Sequence, residues 1–322
     1  MEVGYYLDSF LAPLAPFLAR DDVTDIYINQ PGEVWVETLG GQAERHGDAA
    51  LTDKLLERLA RQIAATGAQG ISRSQPLLAA TLPDGSRVQV VAPPATRSGH
   101  ALAIRRHVAA DLSLADWEEA DAFAGLEAGE ASFDSERQYR HIAARDAASF
   151  LRQAVRDRRN ILVSGGTSTG KTTFLDSLMR EIPEQERLVL IEDTQELRLA
   201  HANAVGLLAV RGNLGEAQVT AEDLLIAALR MRPDRIILGE LRGTEAFTFL
   251  RAVNTGHPGS MTTIHADTPQ RAIEQLALLV LQAGTQLSRD DVRHYVRESV
   301  DVFVQLERRE GKRRVMQVLA AR

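Results

Sequence analysis

Residues 165–172 read GGTSTGKT and match the pattern G-x-x-x-x-G-K-[ST] in full. In this pattern glycines let backbone N–H groups wrap phosphate oxygens, the lysine contacts the β- and γ-phosphates, and the final hydroxyl binds Mg²⁺. An apolar strand precedes the loop and the helical stretch KTTFLDSLMREI follows it, as the pattern requires. The sequence therefore predicts a site for a nucleoside triphosphate such as ATP, with Mg²⁺. The predicted binding residues are Gly165, Gly166, Thr167, Ser168, Thr169, Gly170, Lys171, Thr172 and Thr173.

Acidic residues end two further apolar strands in this half of the chain. RLVLIED ends on Glu192 and Asp193, and RIILGE ends on Glu240. Because ligands bind at the carboxyl ends of strands in open α/β sheets, we expect these acids near the γ-phosphate. Phosphoryl transfer to water needs a residue that positions the water and an acid that helps hold the metal. We predict that Glu240 positions the attacking water and that Glu192 binds Mg²⁺ or a second water, whereas Asp193 is structural. The alternative for both glutamates is that they only cap the following segment.

Two histidines flank one short predicted strand in GHPGSMTTIHA. A histidine at a strand end that faces phosphates can hydrogen-bond the γ-phosphate and report its loss. A histidine that is satisfied within the core or a turn is the alternative, and both readings stay open for His265. For His257 we predict a structural or coupling role.

The elements that must position these residues begin near residue 140. The apolar strands NILVS, RLVLIE, RIILGE and SMTTIHA alternate with helical stretches, which indicates βαβ units around a parallel sheet. VDVFVQLERR and RRVMQVLA close the chain and predict a hairpin at the edge of that sheet. Helix starts are predicted where Thr220 and Asp223, and Ser288 and Asp291, have capping-box spacing, and at Thr268-Pro269.

Residues 1–108 have the pattern of a small α+β domain with an antiparallel sheet. TDIYIN and EVWVE around QPG, and LLAATL and RVQVVA around PDG, predict two hairpins, and ALAIR predicts another strand. Apolar residues at helical spacing predict a helix over 52–65. An N-terminal apolar stretch has the same spacing but must bend or break at Pro13 and Pro16, and we expect it to pack on its own domain.

The segment between the two domains is strongly acidic. Residues 111–136 contain nine acidic residues and no basic one. A block of like charge is typical of a solvated segment, so we predict a linker over 109–140 with one or two short helices. The phosphate-loop domain then occupies 141–322.

Composition excludes several classes of protein. The chain has 322 residues, a net charge of −7 and no cysteine, which fits two globular domains and excludes disulfides, a Cys-ligated zinc and a thiol nucleophile. The N-terminus has Glu2 and Asp8 and lacks a cleavage pattern for a signal peptide, and we find no apolar stretch that predicts a membrane span. We therefore expect a soluble cytoplasmic protein.

Four stretches of the second domain together resemble a known family. GGTSTGKTT, IEDTQEL, LRMRPDRIILGELRG and NTGHPGSMTTIHA resemble, in this order, the Walker A, Asp box, Walker B and His box of the secretion-superfamily ATPases. In the first domain INQPGEVWVE, SQPLLAATLPDGSRVQVVAPP and AIRRH resemble the N-terminal domain of the type IV secretion, or conjugative DNA-transfer, traffic ATPases. The similarity covers nearly the whole chain.

This resemblance implies an α/β fold with a C-terminal RecA-like domain and Mg²⁺-dependent ATP hydrolysis. It also implies a homohexameric ring, peripheral to the cytoplasmic face of the inner membrane, that powers DNA or protein transfer or pilus assembly. Its partners are then inner-membrane secretion-channel proteins and other secretion ATPases. The family's roles fall on Lys171, Thr172, Glu192, Glu240 and His265, and an arginine finger falls on Arg105 of the first domain, with Arg106, Arg230 and Arg242 as weaker candidates.

Three other functions are compatible with the nucleotide motifs. The first is a type IV pilus or type II-like secretion assembly motor, although the tetracysteine zinc module of the type II relatives is impossible in a chain without cysteine. The second is a docking scaffold gated by nucleotide occupancy, for which a water-positioning Glu240 has no chemical use. The third is a motor that acts directly on nucleic acid, against which the acidic net charge is weak evidence.

Overall fold

The computed structural model describes residues 3–39, 42–66, 69–106, 111–131, 138–210, 219–309 and 311–321. Contacts between residues divide the chain into two compact units. Unit 1 contains Met1–Ala109, and unit 2 contains Ala110–Ala209 and Val219–Arg322. The domain boundaries that the sequence predicts at 108 and 140 stay a prediction.

Unit 1 contains the predicted antiparallel sheet. Six strands lie in the order β3-β2-β1-β6-β5-β4, and the hydrogen-bonded pairs run antiparallel. The helices are α1 (Val3–Leu11), α2 (Ala15–Leu18) and α3 (Asp53–Thr66), and the strands are β1 (Val23–Ile28), β2 (Glu33–Thr38), β3 (Ala43–Gly47), β4 (Leu77–Thr81), β5 (Arg87–Val91) and β6 (Ala101–Arg105).

The turns and helices of unit 1 form where the local sequence pattern predicts them. Gly32 has a φ of 88° in the turn between β1 and β2, a backbone conformation that glycine adopts without strain. The N-terminal apolar stretch is broken as its prolines require, because a 3₁₀ turn at Ala12–Leu14 separates α1 from α2. Leu7 and Leu14 are buried in the core of unit 1, as expected for a stretch that packs on its own domain.

Unit 2 contains a nine-stranded sheet in the order β11-β10-β12-β13-β9-β14-β15-β8-β7. The strands from β11 to β14 in this order are parallel, which confirms the βαβ prediction. The helices are α4 (Leu114–Glu119), α5 (Ala144–Arg156), α6 (Lys171–Met179), α7 (Ala221–Ala228), α8 (Glu245–Asn254), α9 (Pro269–Gln282) and α10 (Arg289–Ser299). The strands are β7 (Gly129–Ala131), β8 (Tyr139–His141), β9 (Ile161–Gly165), β10 (Leu188–Glu192), β11 (Ala204–Leu208), β12 (Arg235–Leu238), β13 (Met261–Ile264), β14 (Val302–Arg309) and β15 (Lys312–Ala321).

The C-terminal hairpin is not at the edge of the sheet, so that prediction is wrong. β14 pairs in parallel with β9, and β15 pairs antiparallel with β8. The first five residues of β14 are all buried, as expected for a strand covered on both faces. The strands that cover the hairpin, β8 and β7, are three residues long and carry too little pattern to be recognised in the sequence.

The described part of the acidic segment is packed, in contrast to the solvated segment that its charge indicates. Ser113 and Asp116 form a capping box at the start of α4. Trp117 is buried, its ring lies edge-on to Phe174 at 5.0 Å, and its Nε1 donates to Ser177 Oγ at 3.0 Å. The acids face solvent or cap the helix while the aromatic side chain joins the core beside α6. Phe133 lies outside the described residues.

The other predicted helix starts are present. Thr220 and Asp223 form a capping box before α7, and Ser288 and Asp291 form one before α10. Thr268 caps α9, with Pro269 in its first turn. Within the described ranges, no helix has both the length and the apolar character needed to span a bilayer.

Candidate nucleotide site

The phosphate loop joins the buried strand β9 to helix α6 and depends on its glycines. A Cβ on Gly165 would lie 2.5 Å from Thr169 Oγ1 and 2.9 Å from the carbonyl oxygen of Leu306, so no larger residue fits there. Gly170 has a φ of 92° immediately before α6, and Ser168 has a φ of 59°. The loop therefore has the compact form that lets backbone N–H groups line a phosphate site.

Lys171 is buried at the first position of α6. Its Nζ donates to the carbonyl oxygens of Gly165 at 3.0 Å and Gly166 at 2.9 Å. Burial lowers the pKa of Lys171 to about 8, Glu240 opposes this shift, and Arg242 adds to it. At neutral pH the amine of Lys171 is therefore mostly protonated, and it lies within the predicted phosphate loop.

Glu240 lies at the centre of a cluster of charged side chains. Its Oε1 is 2.8 Å from His265 Nε2 and 4.0 Å from Lys171 Nζ, and its Oε2 accepts hydrogen bonds from the guanidinium of Arg242. The carbonyl oxygen of Thr263 accepts from Leu241 N at 2.9 Å, which fixes the backbone beside Glu240 to β13. The structure thus brings three sequence-predicted site residues together, namely Glu240, Lys171 and His265.

His265 follows β13 and is about half exposed. Partial burial and the charges of Lys171 and Arg242 lower its pKa, and Glu240 opposes them. The segment after it is held by Gln305, whose Nε2 donates to the carbonyl oxygen of Ala266 at 3.1 Å and whose Oε1 accepts from Ser164 Oγ at 2.5 Å. Sequence reasoning missed Gln305, although a glutamine within the apolar run VFVQL was a visible signal.

Glu192 and Glu196 form the second acidic part of the site. Glu192 Oε1 accepts from the backbone N–H groups of Glu196 at 2.9 Å and Leu197 at 2.8 Å. The carboxylate of Glu196 in turn accepts from the hydroxyl of Thr172 at 2.9 Å. Sequence reasoning missed Glu196 because it lies in the loop after β10 rather than at the end of the strand. The predicted contact of Glu192 with Mg²⁺ stays a prediction.

The remaining predicted residues have other partners. Asp193 pairs with Arg242 at 3.4 Å, and the carbonyl oxygen of His257 accepts from Ser260 Oγ at 2.8 Å. In unit 1, Arg105 is about half exposed and its Nε is 2.8 Å from Asp25 Oδ1. Of the three weaker candidates for the arginine finger, Arg242 pairs with Asp193 and Glu240, Arg106 donates to the carbonyl oxygens of Arg20 and Val23, and Arg230 is exposed. The arginine finger stays a prediction for all of these arginines.

The loop residues fit a nucleotide with Mg²⁺. A phosphate loop supplies the metal with one hydroxyl, here that of Thr172, while phosphate oxygens and water complete its coordination. Across the described ranges, no three histidine or acidic side chains are arranged to hold a metal ion by themselves. Among the described residues, Thr172, whose hydroxyl donates to Glu196, thus fits the position of a Mg²⁺ ligand.

Comparisons with known proteins agree with this geometry. The sequence model of the family described as "Type II/IV secretion system protein" matches residues 9–314. The chain belongs to this family. It is 38% identical to type IV secretion system protein VirB11 of Bartonella quintana over 324 residues, which cover 96% of this chain and 91% of that protein. It is 40% identical to type IV secretion system protein PtlH of Bordetella pertussis over 322 residues, which cover 97% of this chain and 94% of that protein.

A solved structure extends the comparison to three dimensions. The chain is 35% identical to the VirB11 ATPase from the Brucella suis type IV secretion system, which was crystallised with sulphate. The two superpose with a TM-score of 0.50 over 97% of this chain and 96% of the other. The predicted resemblance to secretion ATPases and the predicted fold class are therefore confirmed.

Proposed function

We propose that this chain is the Mg²⁺-dependent, ATP-hydrolysing motor of a type IV secretion system. One observation carries the proposal: the phosphate loop, Glu240 and His265 meet around Lys171 within contact distance. Relatives that cover nearly the whole chain support the secretion role, because VirB11 and PtlH are both named type IV secretion system proteins. A docking scaffold would not need Glu240 beside the phosphate site.

The residues of this chain divide the task of hydrolysis between them. Lys171 binds the β- and γ-phosphates, and the hydroxyl of Thr172 holds Mg²⁺, which neutralises phosphate charge when bound. Glu240 accepts a hydrogen bond from the attacking water and orients it. Arg242 and His265 contact the two oxygens of Glu240 and so fix the orientation of its carboxylate. His265 is thereby placed to respond when the γ-phosphate leaves.

Assembly and location belong to the same proposal. We infer a homohexameric ring, peripheral to the cytoplasmic face of the inner membrane, that works with secretion-channel proteins and other secretion ATPases. The substrate transferred is DNA or protein. Arg105 supplies a finger toward the γ-phosphate, and its pairing with Asp25 holds the guanidinium in a defined orientation. A finger supplied from another domain or subunit ties hydrolysis to assembly.

The first test removes the lysine of the phosphate loop. Lys171→Ala should abolish measurable ATP binding and ATPase activity. Lys171 is the loop residue whose side chain we assign to the β- and γ-phosphates, and alanine cannot make that contact. ATP binding by calorimetry and phosphate release would be measured on the same preparations. Lys54→Ala is the matched control, since Lys54 lies in α3 of unit 1.

The second measurement concerns assembly. The ATPase rate per subunit should rise steeply with protein concentration, and the rise should coincide with ring formation measured by light scattering. Near-normal activity in Lys171→Ala would overturn the nucleotide site. A rate per subunit that does not change with assembly would leave the nucleotide site in place and remove the proposed inter-subunit finger.

A further inference from the structure

Arg313 extends from β15 to the first turn of the phosphate-loop helix. Its Nη1 donates to Thr173 Oγ1 at 3.5 Å. A Cβ on Gly170 would lie 2.8 Å from Arg313 Cδ and 3.2 Å from its Nε, so the side chain packs directly against the last glycine of the loop. None of the sequence motifs includes this residue. It is nevertheless in contact with the loop where phosphates bind.

The charge of Arg313 is poorly compensated at this position. Over the part of the chain that the structure describes, no carboxylate lies within 4.0 Å of its guanidinium. Burial lowers its pKa, and the charge of Arg308 adds to this effect. The N-terminal end of α6 contributes further positive potential. A partly buried guanidinium among other positive groups is stabilised when an anion pairs with it.

Successive residues of α6 face different partners. Lys171 faces Glu240, Thr172 faces Glu196 and Thr173 faces Arg313. Successive helical residues point about 100° apart, so Arg313 approaches the loop from a different side than Glu240 does. The loop's backbone N–H groups hold the α- and β-phosphates while the lysine contacts the β- and γ-phosphates. The side that Arg313 occupies is therefore the one away from the γ-phosphate.

We propose that Arg313 is a nucleotide-binding residue that pairs with the α-phosphate, the group that ATP and ADP share. This inference rests on the proposed function. A planar guanidinium suits a phosphate because it can donate two parallel hydrogen bonds. An interaction that is equally present in substrate and transition state changes KM and leaves kcat unchanged. Arg313 thus contributes to nucleotide affinity, and Glu240 contributes to hydrolysis.

The main test is Arg313→Gln, with calorimetric binding of ATP and ADP to the full chain. The Kd values for ATP and ADP should rise by the same factor, about tenfold to a hundredfold, with kcat little changed. Arg313→Lys keeps the charge but loses the planar fork, and its Kd values should be intermediate. Lys312→Gln removes an exposed cation from the adjacent position and should leave both Kd values unchanged.

Thermal unfolding without nucleotide separates this role from a structural one. Removing an uncompensated cation should leave the Tm of the nucleotide-free protein unchanged or higher, while the Tm increase caused by ADP becomes smaller. A lower Tm without nucleotide, or unchanged Kd values for both nucleotides, would overturn the inference. If Lys171→Ala loses ATP binding and Arg313→Gln keeps the wild-type Kd values for both nucleotides, only this inference fails. If the wild-type chain binds no ATP, the proposed function fails as well.

Discussion

Glu192 and Glu240 lie at the carboxyl ends of two neighbouring parallel strands, β10 and β12, and yet their carboxylates have different surroundings. Glu192 is buried, and its Oε1 accepts hydrogen bonds from two backbone N–H groups of the loop that follows. Glu240 contacts the ammonium of Lys171, the guanidinium of Arg242 and the imidazole of His265. At the same edge of one sheet, one acid thus holds the loop that follows it and the other faces the phosphate loop.

The difference arises from where each residue leaves its strand. Glu192 is the last residue of β10 and still pairs with Leu208 of β11. Glu240 lies two residues beyond β12, after Gly239, where the chain has already left the sheet. A Cβ on Gly239 would be 3.3 Å from Glu192 Cγ, so the absence of a side chain at position 239 leaves space for the Glu192 side chain. An acid beyond the strand end can therefore turn toward the phosphate loop.

The largest expected effect follows from changing Glu240. Glu240→Gln keeps the shape of the side chain but removes its capacity to accept a proton from water, so turnover should fall by about 10² to 10⁴-fold. ATP binding should be retained, because Lys171 and the loop are intact. Phosphate release and ATP binding are measured together. Loss of binding with unchanged turnover per bound ATP would show instead that Glu240 is structural.

A smaller effect is expected at Glu196, which the hydroxyl of Thr172 contacts. Glu196→Gln should raise the Mg²⁺ concentration for half-maximal ATPase activity by about tenfold to a hundredfold, as is typical when a partner of a metal ligand is changed. The rate at saturating Mg²⁺ should recover. Magnesium titrations at fixed ATP provide the measurement, and an unaltered Mg²⁺ requirement would exclude this role.

Of the three glutamate-to-glutamine substitutions, Glu192→Gln, which keeps the shape of the side chain, should have the smallest effect on hydrolysis. Glu192→Gln retains an oxygen that accepts from Glu196 N and Leu197 N, and saturating Mg²⁺ offsets the loss of charge at the predicted contact of Glu192 with the metal. Stability, and turnover at saturating Mg²⁺, should therefore change little. Glu192→Ala leaves both N–H groups without that acceptor and should lower the free energy of unfolding by about 1–3 kcal/mol. Chemical denaturation of the two variants makes this comparison. Equal destabilisation by both would mean that the charge of Glu192, rather than its acceptor oxygen, is what matters.

Much of the fold could be predicted from the sequence because its signals are local. The turn glycines of the unit 1 hairpins, the capping boxes and the apolar strands of the parallel sheet each depend on a few neighbouring residues. The position of the C-terminal hairpin could not be predicted, because it depends on pairing with β9 and β8, which are distant in sequence. The packing of Trp117 in the acidic segment could not be predicted for a related reason, because charge dominates the local pattern and the partner helix α6 is distant in sequence.

In the site, residues with a chemical motif were predicted and residues that act through position were not. Lys171 was predicted from the phosphate-loop motif, and Glu240 was predicted from its position at the end of an apolar strand. Glu196, Gln305 and Arg313 are recognised only when the structure shows what they contact. Each lies in a segment whose fold or family resemblance was recognised, but its own role depends on a partner more than 20 residues away.

The most direct test is a single-turnover experiment on Glu240→Gln and Glu192→Gln side by side, with ATP pre-bound and Mg²⁺ added to start hydrolysis. We expect both variants to bind ATP, Glu192→Gln to hydrolyse it at close to the wild-type rate at saturating Mg²⁺, and Glu240→Gln to be slower by about a hundredfold or more. A Glu192→Gln variant that holds ATP without hydrolysing it, beside an active Glu240→Gln, would contradict the account.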